Sequence, residues 1–336
     1  MTTIAILGAT GYTALELIKI LLRHPNAEIT ALTSREDTRP AGQVHQSLSG
    51  RLNLSLENLT PGEIASRAEC VFSCLPHTAS AQIVPELLQY GCKVVDFSAD
   101  YRLDSAESFE KWYEVEHPDP QRLGKVPYGL PELFRKDIIG TDLIANPGCY
   151  PTSAILPLVP LLEVGLIEPN DIIIDSKSGV SGAGRKPKLG TLYTECNESI
   201  SAYGVGTHRH TPEIAQIIAR SCKTQMPQVI FTPHLTPMDR GILTTAYSKP
   251  VKNVSKDDVL DVLRKKYENE YFVKVVEYLP ATKDVSGTNF VHITARVVGS
   301  RIITVSAIDN LIKGASGAAV QNFNLLFGYA ETTALV

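Results

Sequence analysis

The chain opens with a strand, a glycine turn and a helix inside its first 22 residues, and no other feature constrains the fold as much. Ile4 to Leu7 is a short apolar run, and Gly8-Ala9-Thr10-Gly11 turns the chain sharply. Tyr12 to Leu22 then sets Leu15, Ile18, Leu21 and Leu22 at helical spacing. His24-Pro25 ends that helix, because the residue before a proline avoids helical geometry. Further strands are predicted at Ala27–Leu32, Glu69–Cys74, Lys93–Phe97 and Leu143–Ala145. A helix over Ser80–Tyr90, closed by Gly91, separates two of them. This strand-helix rhythm predicts a parallel sheet with helices on both faces.

The character changes near residue 150. Pro151 to Gly165 reads as a helix, Asp171 to Asp175 as a β-branched strand, and Gly179 to Gly190 as a glycine-rich basic loop. Val229–Phe231, Gly241–Tyr247, Asn289–Val297 and Ile302–Ala307 read as sheet strands, with a helix over Ser255–Asn269. A mixed or antiparallel sheet with some helices is expected there, an α+β pattern. The last stretch, Gly314 to Gly328, is apolar on one helical face and is expected to return to the first domain. The length of 336 residues accommodates two such domains. The expected boundaries are 1–148, completed by 312–336, and 149–311.

Composition narrows the function classes. Lys and Arg number 32 against 36 Asp and Glu, a net charge of −4, which argues against a nucleic-acid coat. No apolar run approaches the 18 residues of a membrane span, so no membrane partner is expected. The opening residues carry no basic stretch followed by a cleavage site. The six cysteines, with no C-x-x-C pair, fit a reducing compartment rather than a disulfide scaffold or a zinc site.

Four constellations carry chemistry. A glycine turn between a strand and a helix exposes helix N–H groups to a pyrophosphate, so Gly8, Thr10, Gly11, Tyr12 and Thr13 are expected to bind a dinucleotide. The spacing is G-x-x-G-x-x-A, and a plain strand-to-helix turn would read the same way. Ser34-Arg35 ends the second strand where a ribose-binding carboxylate would stand; a hydroxyl and a guanidinium suit a 2′-phosphate and favour NADP(H). Glu36 and Asp37 follow directly and weigh against it. Cys149, in Asn146-Pro147-Gly148-Cys149-Tyr150-Pro151-Thr152, follows a strand and a Pro-Gly turn at a helix start, a setting that exposes a thiolate. A buried inert cysteine is the competing reading.

The third constellation is Thr207-His208-Arg209-His210-Thr211-Pro212-Glu213. It reads as a polar helix entry with Thr211 as N-cap, or as an acid/base histidine beside an anion-binding Arg209. No third ligand cluster accompanies the two histidines, so no metal is expected. The fourth is the loop Lys177 to Lys186, whose Ser178, Gly179, Arg185 and Lys186 could hold an anion. His234 is a further candidate, equally readable as structural.

Taken together, these motifs resemble those of the N-acetyl-gamma-glutamyl-phosphate reductase family. The resemblance runs from Gly8-Ala9-Thr10-Gly11-Tyr12-Thr13 through Leu32-Thr33-Ser34-Arg35, the Cys149 and His208 motifs and His234 to Gly241, and ends with Lys313 to Asn322. It implies a Rossmann-type parallel-sheet domain plus an α+β dehydrogenase-like catalytic and dimerisation domain. It implies NADP(H), an acyl-phosphate substrate, a cytoplasmic homodimer or homotetramer, Cys149 as nucleophile forming a thioester, and His208 as acid/base. Arg209, His210, Ser178, Gly179, Arg185 and Lys186 fall in the substrate region. Leu75, Pro76, Gly179 and Asn322 join the cofactor set. Ala14 and Ser153 stand where the family usually has glycine and often has Gly or Ala, respectively. An aminoadipyl-phosphate or carrier-linked substrate, or a non-catalytic NADP-binding regulator, are the alternatives.

Overall fold

The computed structural model describes residues 1–336, which divide into two compact units: Met1–Pro147 with Ala315–Val336, and Gly148–Gly314. The chain thus changes unit at Pro147/Gly148 and Gly314/Ala315, against the expected 148/149 and 311/312.

The first unit holds strands β1 (Thr2–Leu7), β2 (Ala27–Thr33), β3 (Leu56–Glu57), β4 (Cys70–Ser73), β5 (Lys93–Asp96) and β6 (Leu143–Ala145). They form one sheet in the order β3-β2-β1-β4-β5-β6, with every pair parallel. Its helices are α1 (Tyr12–Leu21), α2 (Ala41–Val44), α3 (Pro61–Ala65), α4 (Ala79–Gln89), α5 (Ala106–Tyr113) and α6 (Pro131–Ile138). The central strand β4 is buried along its whole length, and its neighbours β1 and β5 at all but one residue each, as a sheet covered on both faces requires. The order reverses between β1 and β4, so the loops after these two strands open a crevice at their carboxyl ends.

The second unit holds α7 (Cys149–Glu163), β7 (Ile172–Gly179), α8 (Tyr193–Cys196), β8 (Ser201–Ala202), α9 (His210–Cys222), β9 (Val229–Thr236), β10 (Ile242–Ser248), α10 (Lys256–Lys266), β11 (Val273–Val275), β12 (Val291–Val298) and β13 (Arg301–Ile308). Its mixed sheet runs β11-β12-β13-β10-β7-β9-β8. Along β7 the buried residues Ile172, Ile174, Ser176 and Ser178 alternate with half-exposed Ile173, Asp175 and Lys177, so one face is covered and the other is open. The expected helix over Gly314–Gly328 begins differently: one π turn, Ile312–Ser316, precedes α11 (Gly317–Leu326), which packs on α1 and α6 in the first unit.

Helix α7 carries two interior prolines, Pro157 and Pro160. Each lacks the N–H that would bond the carbonyl four residues back, which frees the carbonyls of Ser153 and Leu156. Both are recaptured. The Ser306 hydroxyl donates to Ser153 O at 2.6 Å, and the Tyr267 hydroxyl to Leu156 O at 2.6 Å. Sequence features that would weaken a lone helix thereby tie α7 to β13 and to the end of α10. The Ser153 hydroxyl adds a third tie: it pairs with Thr244 Oγ1 at 2.7 Å, which also meets Ser176 Oγ at 2.7 Å. The family departure at Ser153 is therefore matched by buried hydroxyls on β10 and β7.

Replacing Ser306 by Ala or Tyr267 by Phe leaves a buried carbonyl without its donor. Each should lower unfolding free energy by about 1–3 kcal/mol in urea titrations. In a Pro157→Ala background the helix regains its own N–H, and the Ser306→Ala loss should shrink to a few tenths of about 1 kcal/mol.

Candidate active site

In the first unit, the turn after β1 is shaped by Gly8, whose φ is +70°. A Cβ there would lie 2.7 Å from the Cys74 carbonyl oxygen, so only glycine lets the loops after β1 and β4 meet. The buried His45 braces the same turn, its Nε2 lying 2.8 Å from Ala9 O. Gly11 is the N-cap of α1; no side chain caps the helix and no carboxylate sits in its first turn. Thr10, Tyr12 and Thr13 thus surround a helix N-terminus open to an anion. A cleft beside it is lined by Gly8, Thr33, Ser34, Arg35, Leu75 and Pro76, with Leu59 and Ile83 as apolar walls. Arg35 is exposed at its rim. Of the two acidic neighbours, Glu36 also lines the cleft, whereas Asp37 is drawn to Arg39, Oδ2 to Nη2 at 2.6 Å, and the Ser34 hydroxyl accepts the Asp37 N–H at 3.1 Å. These residues fit an adenosine with a 2′-phosphate.

Asn322 stands apart from this cleft. It is fully buried, and its amide donates to Gly129 O at 2.8 Å and to Asn146 Oδ1 at 3.1 Å. A Cβ on Gly129 would lie 2.4 Å from the Asn322 amide nitrogen. Asn146 in turn donates to Ala315 O at 3.1 Å, so Asn322 secures the place where the chain leaves and re-enters this unit.

In the second unit, Cys149 is the first residue of α7, behind the extended N-cap Gly148. The Gly148 N–H donates to Glu213 Oε1 at 2.9 Å, and the other carboxylate oxygen lies 4.0 Å from His210 Nε2. Glu213 is 1% exposed. One buried carboxylate therefore stands beside both the helix that Cys149 heads and the histidine motif. The His210 N–H donates to His208 Nδ1 at 3.1 Å, which places the proton of a neutral His208 on Nε2. Edge contacts from Tyr150, Tyr203 and Phe231 enclose the His208 ring. Burial, with the Arg209 charge second, pushes its pKa down to about 4, so the imidazole is neutral near pH 7. Tyr150 and Tyr203 join hydroxyls at 2.9 Å. Burial raises both phenols, Tyr203 to about 12, and the nearby Cys149 adds to each shift.

Gly314, in the π turn, completes this cluster: a Cβ there would lie 2.7 Å from Cys149 Cβ. The turn is held by Asp309, whose Oδ1 accepts the N–H groups of Leu311 and Ile312 at 2.8 and 3.1 Å. Its Oδ2 accepts Gly287 N–H at 2.7 Å and meets Arg240 Nη1 at 3.3 Å. Motif reading missed Gly314, Asp309 and the phenol pair, because each gains its meaning only from a distant segment.

Two family models match the chain: the semialdehyde dehydrogenase NAD binding domain over residues 3–141 and the semialdehyde dehydrogenase dimerisation domain over residues 149–310. An N-acetyl-gamma-glutamyl-phosphate reductase of Rhodopirellula baltica is 55% identical over 99% of this chain and 98% of its own. One of Magnetococcus marinus is 50% identical over 99% and 96%. The chain belongs to the N-acetyl-gamma-glutamyl-phosphate reductase family. Among solved structures, aspartate semialdehyde dehydrogenase from Candida albicans, with NADP, shares the fold at a TM-score of 0.73 and 18% identity, covering 97% of this chain and 98% of that one. The Vibrio cholerae aspartate semialdehyde dehydrogenase II gives 0.74 at 18% identity, covering 98% and 99%.

The family motifs differ from their sequence reading at two points. Thr211 is not the N-cap of α9: the helix starts at His210 with Arg209 as N-cap, and the His208 ring accepts the first N–H in place of a threonine hydroxyl. Ser178 and Gly179 are not loop residues but the buried end of β7. The N–H groups of Gly179, Val180 and Ser181 go to Gly241, Met238 and Asp239 carbonyls, so this stretch offers no free nest to an anion. A Gly179 Cβ would meet Asp239 O at 2.6 Å, which explains the glycine by packing. Arg185 and Lys186 lie beyond it on an exposed loop, and Arg209 is exposed as well. No group of three or more His, Cys, Asp and Glu that could hold a metal ion is present.

Gly314→Ala should displace Cys149 and lower kcat about a hundredfold, while NADPH titration of the same protein stays unchanged. A kcat near wild type would contradict the close contact. For His208, the unfolded chain takes up its proton near 6.5 and the folded chain only near 4. Its contribution to stability is therefore complete above 6.5 and is lost as pH falls toward 4. Denaturation of His208→Asn should show a flatter stability profile across that window than wild type.

Proposed function

We propose that the chain reduces N-acetyl-γ-glutamyl phosphate with NADPH, giving N-acetylglutamate 5-semialdehyde and phosphate, in arginine biosynthesis. One observation carries the reading: Cys149 heads a helix whose first turn shares a buried carboxylate with a two-histidine motif. The full-length identity to reductases of that name supplies the substrate class.

In this mechanism the Cys149 thiolate attacks the acyl carbon and phosphate departs, leaving a thioester. Because Glu213 already occupies the Gly148 N–H, the oxyanion is left to the next N–H groups at the start of α7, where the helix dipole favours negative charge. Neutral His208 offers its Nε2–H to the same oxygen and acts as acid/base when the adduct collapses. Arg209, with Arg185 and Lys186 on an exposed loop, attracts the substrate's phosphate and carboxylate. His210, beside Glu213, orients this end. Bound NADPH supplies the hydride. Cys149 leaves as thiolate when the aldehyde is released.

The active thiol suits the reducing cytoplasm. The open face of the second sheet presents Ile173, Leu243, Tyr247, Ile303 and Val305, an apolar surface fit for pairing two copies. No helix is long and apolar enough to cross a membrane.

Cys149→Ser should abolish turnover and leave NADPH affinity near wild type. The substrate is tested in reverse: NADP+ reduction with phosphate and N-acetylglutamate semialdehyde, set against its one-carbon-longer homologue and aspartate semialdehyde. A preference for either competitor would overturn the substrate assignment.

A further inference from the structure

Five residues, Cys74–Thr78, connect β4 to α4 at the point where the strand order reverses. Leu75 and Pro76 among them wall the cleft beside Gly8 and Arg35. The connection ends on Thr78, a β-branched residue held at φ 72°, a region such side chains avoid. Thr78 is also the N-cap of α4, yet its side chain makes no capping bond.

The cap comes from another loop. Asp100, which is 0% exposed, accepts the Thr78 N–H at 2.7 Å on one oxygen and the Ala81 N–H at 2.9 Å on the other. Asp100 is itself anchored: its N–H donates to Ser98 Oγ at 3.1 Å, and that hydroxyl donates to Asp96 Oδ2 at 2.6 Å. Asp96 also accepts from Ser80 Oγ at 2.6 Å. The Ala99 N–H donates to His77 Nδ1 at 3.1 Å. The end of β5 and the segment after it thus grip the β4–α4 connection at His77 and Thr78 and the first turn of α4 at Ser80 and Ala81.

A helix needs no distant buried carboxylate merely to be capped, since a serine or threonine at the N-cap suffices. What the carboxylate adds is a hold on the backbone of a residue that would otherwise leave the left-handed region and let the loop swing. We propose that Asp100 is a positioning residue for the cofactor: by holding Thr78 in its left-handed conformation it sets Leu75 and Pro76 as the wall against which the nucleotide binds. This rests on the cleft at Ser34 and Arg35 being the adenosine site.

The test is NADPH titration and steady-state kinetics of the full-length enzyme. Asp100→Asn keeps the size but loses one acceptor and the charge. It should weaken NADPH binding about tenfold and leave both kcat at saturating NADPH and KM for the acyl phosphate within about twofold. Glycine takes the same backbone conformation without strain, so Thr78→Gly added to Asp100→Asn should recover most of the lost affinity. Ser98→Ala, a milder change that loosens Asp100 from Asp96, should shift NADPH affinity in the same direction by less, and serves if Asp100→Asn does not fold. Unchanged NADPH affinity in a folded Asp100→Asn or Ser98→Ala protein would overturn the proposal, as would failure of Thr78→Gly to recover any of the loss. Arg35→Ala separates the two layers: if it too leaves NADPH affinity untouched, the cleft assignment falls; if it weakens binding while Asp100→Asn does not, only the role of Asp100 falls.

Discussion

The chemistry of the second unit depends on where one helix begins, and the hydrogen bond from the Gly148 N–H to Glu213 sets that point. A carboxylate at a helix N-terminus is favoured by the aligned peptide dipoles, and burial strengthens the attraction. Because Glu213 belongs to the first turn of α9, the bond also fixes the distance between Cys149 and the His208 motif.

The body of α7 is held as firmly as its start. Two prolines give up intrahelical bonds, and Ser306 and Tyr267 take the freed carbonyls. The helix is therefore locked in register against the sheet, because only one rotation aligns both carbonyls with both donors. Gly314 then closes over Cys149 with no room for a methyl group. The π turn that brings it there is held by Asp309. Such insertions are often found at functional sites, where they move a backbone group that a regular turn would misplace.

Much of this was legible in the sequence. The first strand and helix, the glycine turn, the helix ending near Gly91 and the strand-rich second half are all local, and local pattern suffices for them. The cysteine motif was equally readable, since a Pro-Gly turn before a helix can be seen in five letters. The start of α9 differs for a physical reason: a threonine followed by proline has the propensity to cap, but the His208 imidazole accepts the His210 N–H, and the helix begins one residue before Thr211. Ser178 and Gly179 were misread as loop because glycine signals freedom in a sequence, whereas here it reports the close backbone of the β9–β10 loop at Asp239 and Arg240. Asn322, placed by resemblance at the cofactor, is enclosed by Gly129 and Asn146.

By itself the sequence determined the kinds of element, their order and the candidate reactive groups, because helix and strand periodicity and thiol or imidazole chemistry reside in short stretches of chain. It carried a nucleotide-binding half and a thiol-bearing half, and a net charge of −4 that conceals the cations at Arg35, Arg185, Lys186 and Arg209. Only the tertiary structure decided which groups restrain the reactive ones. Glu213 reaches back to Gly148, Ser306 to Ser153, Gly314 to Cys149 and Asp100 to Thr78. Each pair is brought together by sheet order and helix packing, and no local pattern encodes a hydrogen bond whose two ends are chosen by the fold.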